Sequence, residues 1–202
     1  MRTLFDEIKM EFGDAIEVGP YFTVGDEFQC VVSDPSELFR AYLHLRLRSP
    51  VRFRCGLGIG EIEGTVTSDD AMRGKAFYRA RDAIDASKKK DKNVILKSND
   101  HPNLFDIMFN AHLSVTSDIE DHWTQRQAEV VKRYLLLNRP KYEVLANHFN
   151  TSTQSISQVI IASRLHLMDE VNDVINLMLD DERVLGLRKV KTLEKNKSSK
   201  NA

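Results

Sequence analysis

Two adjacent carboxylates, Asp26 and Glu27, lie at the centre of the most distinctive stretch of the chain. They follow Gly25 and are flanked by two runs of β-forming residues, 21–24 and 28–32. Such runs around a glycine predict a tight β-hairpin, because glycine adopts the positive φ that the turn requires. Acids held rigidly at the tip of a hairpin can bind Mg²⁺ and a triphosphate. A solvated polar turn is the alternative interpretation.

A second candidate ligand surface is a glycine-rich strand predicted over residues 51–62. One face of this strand carries Phe53, Cys55, Leu57 and Ile59. The opposite face carries glycine at every second position, which leaves the backbone open to close approach. Either a neighbouring helix or a nucleotide can fill such a face. Gly56 and Gly58 are therefore candidate contacts for a bound nucleotide.

Four basic residues lie in or beside a helix predicted over residues 70–86: Arg73, Lys75, Arg79 and Arg81. Together they could surround an anion such as a phosphate. The alternative is a charged face turned to solvent, which we favour for Lys75 and Arg79. Arg73 and Arg81 are the better candidates for contacts with a nucleotide.

Three segments resemble known families. The hairpin VGDEF (residues 24–28) resembles the GGDEF hairpin of diguanylate cyclases, with Val24 at the place of the first glycine. Residues 76–81 resemble a GGDEF-domain helix in which a lysine at the position of Arg81 contacts phosphate. The longer string 23–29, followed by 53–62, is similar to the SatD family, small prokaryotic proteins with a cyclase-like N-terminal half and a helix-turn-helix C-terminal half. The resemblance implies this two-part plan.

The beginning of the chain departs from the pattern of these families. Palm cyclases begin with a strand that carries a first metal-binding carboxylate, and SatD-like proteins likewise begin with an acidic strand. This chain opens on a predicted helix over residues 4–12, so either the true start lies upstream or the domain is degenerate. A two-metal site needs both carboxylates. We therefore expect residues 1–100 to form an α+β domain, a truncated or degenerate palm-like sheet with helices, that does not catalyse.

The C-terminal half predicts a helix-turn-helix over residues 118–182, reached through a connecting helix at 101–117. The predicted helices contain residues 123–136, 141–149 and 154–164. Ala146 is small where two helices cross, Asn150 suits a left-handed turn, and Ile156 and Val159 face the core. The arrangement resembles region-four sigma-factor and LuxR-type units. The residues expected to read base edges in the major groove are Thr153, Gln154, Ser155, Ser157 and Gln158.

The charge of the C-terminal half supports DNA binding less clearly than its predicted fold does. Residues 118–181 contain six Lys or Arg and ten Asp or Glu, a net charge of −4. DNA-binding modules use basic residues to neutralise phosphates, and Arg139, Lys141 and Arg164 are the candidates for this role. The alternative is a helix-turn-helix that binds protein instead.

The remaining features concern assembly and location. Residues 165–179 predict a helix with more apolar surface than a small unit needs, so it either covers its own domain, which we favour, or forms a homodimer interface. Residues 183–202 predict a disordered basic tail. Net charge is −1, no segment predicts a membrane span or a signal peptide, and Cys30 and Cys55 are expected to be buried reduced thiols. These features indicate a cytoplasmic protein.

Three functions follow from these observations. The first is a dimeric transcriptional regulator that binds DNA through its second half and uses its first half to sense a nucleotide or to assemble. The second is a nucleotidyl transferase or cyclase that uses Asp26. The third is a protein-interaction adaptor. In the first two, Mg²⁺ and a nucleotide are the possible cofactors, with Asp26 and Glu27 as the metal ligands.

Overall fold

The computed structural model describes residues 1–63 and 73–180. Within them the chain is a mixed α+β protein of small sheets and many helices. The elements in chain order are α1 (Arg2–Phe12), a 3₁₀ turn (Gly13–Ala15), β1 (Ile16–Phe22), β2 (Phe28–Val32), α2 (Pro35–Arg48), β3 (Cys55–Gly58), α3 (Lys75–Lys90), β4 (Val94–Lys97), α4 (Leu104–Asp121), α5 (Gln125–Leu136), α6 (Tyr142–His148), α7 (Thr153–Ala162) and α8 (Leu165–Asp180).

Helix α1 forms as its apolar spacing predicts. Leu4, Phe5, Ile8 and Phe12 recur on one face and are buried against Ile16, Ala41 and Leu45. Helix α2 begins at Pro35, where the Asp34 carboxylate accepts a hydrogen bond from the Ser36 amide. The first core thus joins α1, the hairpin and α2.

The predicted hairpin is present, but its first strand is longer than the sequence indicated. Strands β1 and β2 are antiparallel, with Tyr21 opposite Gln29 and Phe22 opposite Phe28. Strand β1 runs from Ile16 through Gly19 and Pro20, although these two residue types usually interrupt a strand. Two register shifts and a positive φ of 80° at Gly19 absorb the irregularity, as bulges do at the edge of a sheet.

Strands β3 and β4 form a separate parallel pair joined by α3, with Leu57 opposite Leu96. The strand predicted over residues 51–62 forms a ladder only at Cys55–Gly58. The described residues therefore contain two two-stranded sheets rather than one continuous sheet, because no described strand joins β2 to β3. Part of the helix predicted over residues 70–86 lies outside the described residues, and α3 begins at Lys75.

Helix α8 is shared between two cores. Its first turns place Leu165 and Met168 in the core of α5, α6 and α7. Its last turns place Ile175 and Leu179 in the core around Leu57. The expectation that this helix covers its own half is therefore correct for its first turns, whereas its last turns pack on the N-terminal half. The boundary predicted at residue 118 falls inside α4, and the predicted tail 183–202 lies outside the described residues.

Candidate functional sites

The first candidate site is a cleft between the two sheets, with a volume of about 1560 Å³. Strand β2 lines one side, β3 lines the other, and α2 and α3 complete the walls. Five of the six residues predicted to contact a nucleotide line this cleft: Asp26, Glu27, Gly56, Gly58 and Arg81. The sixth, Arg73, lies apart from this lining and forms a β-bridge with Glu63. The structure thus brings the predicted residues of the hairpin, the strand and the helix to one place.

An ion pair connects the hairpin tip to α3. A carboxylate oxygen of Glu27 lies 3.2 Å from the Arg81 guanidinium. The two side chains are 47% and 63% exposed, respectively, so this is a solvated contact of small energy. Asp26 is also exposed. Glu27, which was expected to bind a metal, and Arg81, which was expected to contact a phosphate, therefore form an ion pair with each other.

Helix α3 occupies the bare glycine face of β3. A Cβ built on Gly56 would lie 2.2 Å from the carbonyl oxygen of Ala80. One built on Gly58 would lie 2.0 Å from the carbonyl oxygen of Ala76. Of the two interpretations of this face, the neighbouring helix is the one confirmed. A ligand in the cleft would reach these glycines at the strand edge.

Arg79 has a structural role that the sequence did not indicate. Its guanidinium donates to the carbonyl oxygens of Ile59 and Ser98, both at 2.7 Å, and pairs with Asp100 at 3.0 Å. Its side chain is only 11% exposed, so the predicted solvent-facing position was wrong. Arg79 fastens α3 to the ends of β3 and β4. The sequence spacing of Arg79 and Lys75 on α3 does not show which of the two side chains is buried.

The donor set at the hairpin does not make a metal centre by itself. No group of three or more His, Cys, Asp or Glu side chains comes together in the described residues. If Asp26 and Glu27 bound Mg²⁺, water and the phosphates of a ligand would have to fill most of its coordination positions. A two-metal mechanism needs more carboxylates than these.

The two cysteines that line the cleft have weakly reactive thiols. Cys30 and Cys55 are both free thiols, as the sequence predicted, but each residue is partly rather than fully buried. Burial raises the pKa of each thiol to about 12, and the nearby Cys30 adds to the effect on Cys55. Since the thiolate is the nucleophile, neither residue is suited to covalent catalysis.

The second candidate site is the surface of α7, which follows α6 after a short turn. Asn150 in that turn has φ 48°, the left-handed conformation expected of it. Ala146 and Ile156 are buried where the two helices meet, also as predicted. The hydroxyl of Ser152 caps α7 by accepting from the Ser155 amide at 3.1 Å. The local features on which the prediction rested are therefore present.

The outward side of α7 is uncharged and mainly polar. Thr153, Gln154 and Gln158 are exposed, whereas Ser155 and Ser157 are partly buried. The Ser155 hydroxyl lies 3.0 Å from that of Ser152, so it belongs to the cap. The sequence reasoning missed Ile161, which is 63% exposed. Its spacing from Gln154 and Gln158, seven and three residues, was the available signal.

The three cations expected near DNA have different environments. Arg139 pairs with Asp169 at 3.2 Å and with Asp173 at 3.0 Å. Burial opposes the charge of Arg139, but the two carboxylates outweigh it and raise the pKa. Lys141 and Arg164 are exposed. The charge of Arg139 is therefore paired with carboxylates of α8. Of these three residues, only Lys141 and Arg164 present an unpaired charge to solvent.

Fold and sites together define a mixed α+β protein with an open cleft between two small sheets and a helical C-terminal half. The SatD family model matches residues 1–172, and the chain therefore belongs to the SatD family. Searches of curated proteins and of solved structures found no significant match. Within residues 1–63 and 73–180, no helix has the length and apolar character required to cross a membrane.

Proposed function

We propose that this protein is a cytoplasmic transcriptional regulator that binds DNA as a homodimer. In this proposal α6 and α7 form a helix-turn-helix, and α7 enters the major groove. The N-terminal half is a palm-like domain that senses a nucleotide or mediates assembly and does not catalyse. The observation that carries the proposal is the exposed, uncharged and mainly polar surface of α7 after a left-handed turn at Asn150.

The exposed side chains of α7 suit base edges. Gln154 and Gln158 are one helical turn apart, and a glutamine amide can donate to and accept from adenine at the same time. Ile161 continues the same face by nearly one further turn and offers an apolar contact for a thymine methyl group. This surface therefore favours a site that contains A·T pairs.

Ion pairs within the chain offset part of the excess of acid in this half. Arg139 shares its single charge between Asp169 and Asp173, which leaves one negative charge on these three groups, and Arg46 of α2 balances Glu120. In contrast, five basic residues of the region form no ion pair within the described residues: Arg126, Lys132, Arg133, Lys141 and Arg164. Their charges remain available to phosphates, which dominate non-specific affinity for DNA.

Helix α8 offers a surface for a second copy of the chain. Leu167, Val171, Val174 and Leu177 are 40–71% exposed, at spacings of three or four residues. This spacing makes one apolar stripe on the helix surface. A twofold contact between two such stripes is self-complementary and would present two α7 helices to a palindromic site.

A genomic-fragment selection at physiological salt tests the proposal. The wild type should enrich a discrete set of fragments, and Gln154→Ala/Gln158→Ala should lose them. Gln29→Ala, an exposed glutamine of β2, is the matched control and should behave as the wild type. Each lost base contact should cost about 1–3 kcal/mol. Absence of enrichment, or equal enrichment by the double variant, would refute the proposal and favour a protein-interaction adaptor.

The convergence of Asp26, Glu27 and Arg81 at the cleft favours a nucleotide-binding or nucleotidyl-cyclase-type enzyme as the second candidate. Calorimetric titration with Mg²⁺ and each nucleoside triphosphate, together with a turnover assay, separates sensing from catalysis. The sensor hypothesis expects binding without turnover, and Asp26→Asn should weaken the binding. Turnover that Asp26→Asn abolishes would establish the enzyme.

A further inference from the structure

The joint between the two halves of the chain contains a largely buried ion pair. Arg46, in the last turn of α2, pairs with the carboxylate of Glu120, in the last turn of α4. The two side chains are only 23% and 14% exposed, respectively. The Arg46 guanidinium also donates to the Tyr42 hydroxyl at 3.4 Å. Because removal of either partner would leave a buried charge without a counterion, the pair holds the ends of α2 and α4 together.

The backbone of Glu120 connects this ion pair to Trp123, between α4 and α5. The Trp123 amide donates to the carbonyl oxygen of Glu120 at 3.1 Å. The indole ring packs on the core of the C-terminal half. Its Nε1–H donates to the carbonyl oxygen of Ser163 at 2.9 Å. Trp123 therefore joins the end of α4 to the end of α7.

Ser163 is the residue that caps the C-terminal end of α7. It is 1% exposed, and its hydroxyl donates to the carbonyl oxygen of Ile160 at 2.8 Å. The chain then turns at Arg164, which has φ 58°. The last carbonyl groups of a helix have no partner within the helix, so a donor from outside fixes where the helix end lies. Trp123 supplies that donor.

We propose that Arg46 is a positioning residue for α7: it holds Glu120, Glu120 orients Trp123, and Trp123 fixes the end of α7. This inference rests on the proposed DNA-binding function of α7. Base edges are read through hydrogen bonds that depend strongly on distance and angle, so the position of α7 determines which contacts form. The N-terminal half thereby controls how α7 enters the major groove.

The anchoring of α2 makes this control possible. Tyr42 and Leu45 of α2 are buried in two different cores of the N-terminal half. Arg46 follows them directly in the last turn of the same helix. A shift of α2 within the N-terminal half would therefore move Arg46 and, through Glu120, the end of α7.

The chemistry of the pair favours a positional role over a purely stabilising one. A buried ion pair often stabilises a fold no more than apolar residues of similar volume would, because both charges lose their hydration. Burial raises the pKa of the Glu120 carboxyl, and Arg46 opposes this effect. Hydrogen-bonded charges have preferred directions, whereas apolar contacts do not. The pair therefore contributes orientation that an apolar contact cannot supply.

Trp123, the single tryptophan of the chain, reports this position without DNA. Arg46→Met should shift the emission maximum of Trp123 and speed amide exchange at Ser163 and Arg164 by about tenfold. Arg40→Met is the matched control, since Arg40 is an exposed arginine of α2 that pairs with Glu37 of the same helix. This control should behave as the wild type. Unchanged emission and exchange in Arg46→Met would overturn the proposal.

A double variant separates position from stability. Arg46→Met alone leaves the Glu120 charge unpaired and so also destabilises the fold, whereas Arg46→Met/Glu120→Leu removes both charges and should unfold close to the wild-type temperature. Its Trp123 emission should still differ from that of the wild type. The DNA fragments that the wild type enriches should bind about tenfold more weakly. Wild-type emission and affinity in this variant would overturn the proposal.

Trp123→Phe tests the middle step, because phenylalanine retains an aromatic ring but lacks the Nε1–H donor. This variant should also weaken specific binding by about tenfold, and Arg46→Met added to it should cause little further loss, since the two residues act through one another. Losses that multiply in full would show independent effects and overturn the proposal. If the wild type enriches no DNA, the proposed function fails, while the exchange at Ser163 and the emission of Trp123 still decide whether Arg46 positions α7.

Discussion

Replacement of Gly58 by alanine measures how closely α3 is seated on β3. The added Cβ would lie 2.0 Å from the carbonyl oxygen of Ala76 and 2.4 Å from the amide nitrogen of Ala80. Ordinary contact begins at 3.4 Å, so α3 would have to move by about 1.4 Å, the difference between 3.4 and 2.0 Å. Both obstacles are helix backbone, which cannot rotate aside as a side chain can.

The expected cost can be bounded. Overpacking a core usually costs about 1–3 kcal/mol, and this substitution should reach about 3 kcal/mol or more because no rotamer change relieves it. Gly25→Ala is the matched control, since nothing lies within 4 Å of its Cβ and only the positive φ of 67° opposes the change. That control should cost about 1–2 kcal/mol. In a chain of this size, each kcal/mol lowers Tm by about 2–4 °C.

Urea denaturation followed by far-UV circular dichroism would measure both variants. The comparison is valid where the two denaturation slopes agree with that of the wild type. If Gly58→Ala costs no more than Gly25→Ala, α3 does not lie on the glycine face. The face would then be open again, and a nucleotide against the strand backbone would become the better explanation of its glycines.

Three further outcomes are expected. At pH 8, Cys30 and Cys55 should react with thiol reagents on the order of 10³-fold more slowly than a small thiol, and at ordinary rates in guanidinium, because a pKa of about 12 leaves little thiolate. Burial lowers the pKa of His112, although a hydrogen bond with Asn172 opposes this. The contribution of His112 to stability is therefore complete above the unfolded pKa of about 6.5 and decreases as pH falls below that value. Between pH 7 and pH 5, His112→Gln should lose less stability than the wild type, and equal losses would exclude His112 as the cause. Asn150→Ala should be less stable than Asn150→Gly by about 1 kcal/mol in thermal unfolding, because the residue is left-handed, and no difference would place it outside that conformation.

Local patterns predicted the helices and the turns well. The helix predicted over residues 4–12 is present as α1. The Asp34–Pro35 start of α2 and the Thr124 cap of α5 likewise depend only on neighbours in sequence. In α5 the Thr124 hydroxyl accepts from the Gln127 amide while the Gln127 side chain accepts from the Thr124 amide. Such contacts are determined within four residues of chain.

Long-range contacts were not predictable in the same way. Arg79 and Lys75 have the same local context, yet only Arg79 meets the ends of β3 and β4. The carboxylates that bind Arg139 are 30 and 34 residues away in sequence. The division of the strands into two sheets likewise depends on which edges meet, and the residue types of β2 and β3 do not specify it.

The position of α8 affects whether the two halves of the molecule can be separated without loss of structure. Ile175 and Leu179 are buried among residues of the N-terminal half, while Leu165 and Met168 are buried at the other end of the same helix. A fragment cut near residue 118 would expose the former pair to water, and the remaining N-terminal piece would lose part of its interior. Because α8 contributes side chains to both cores, we expect the two halves to stabilise each other rather than to behave as interchangeable modules.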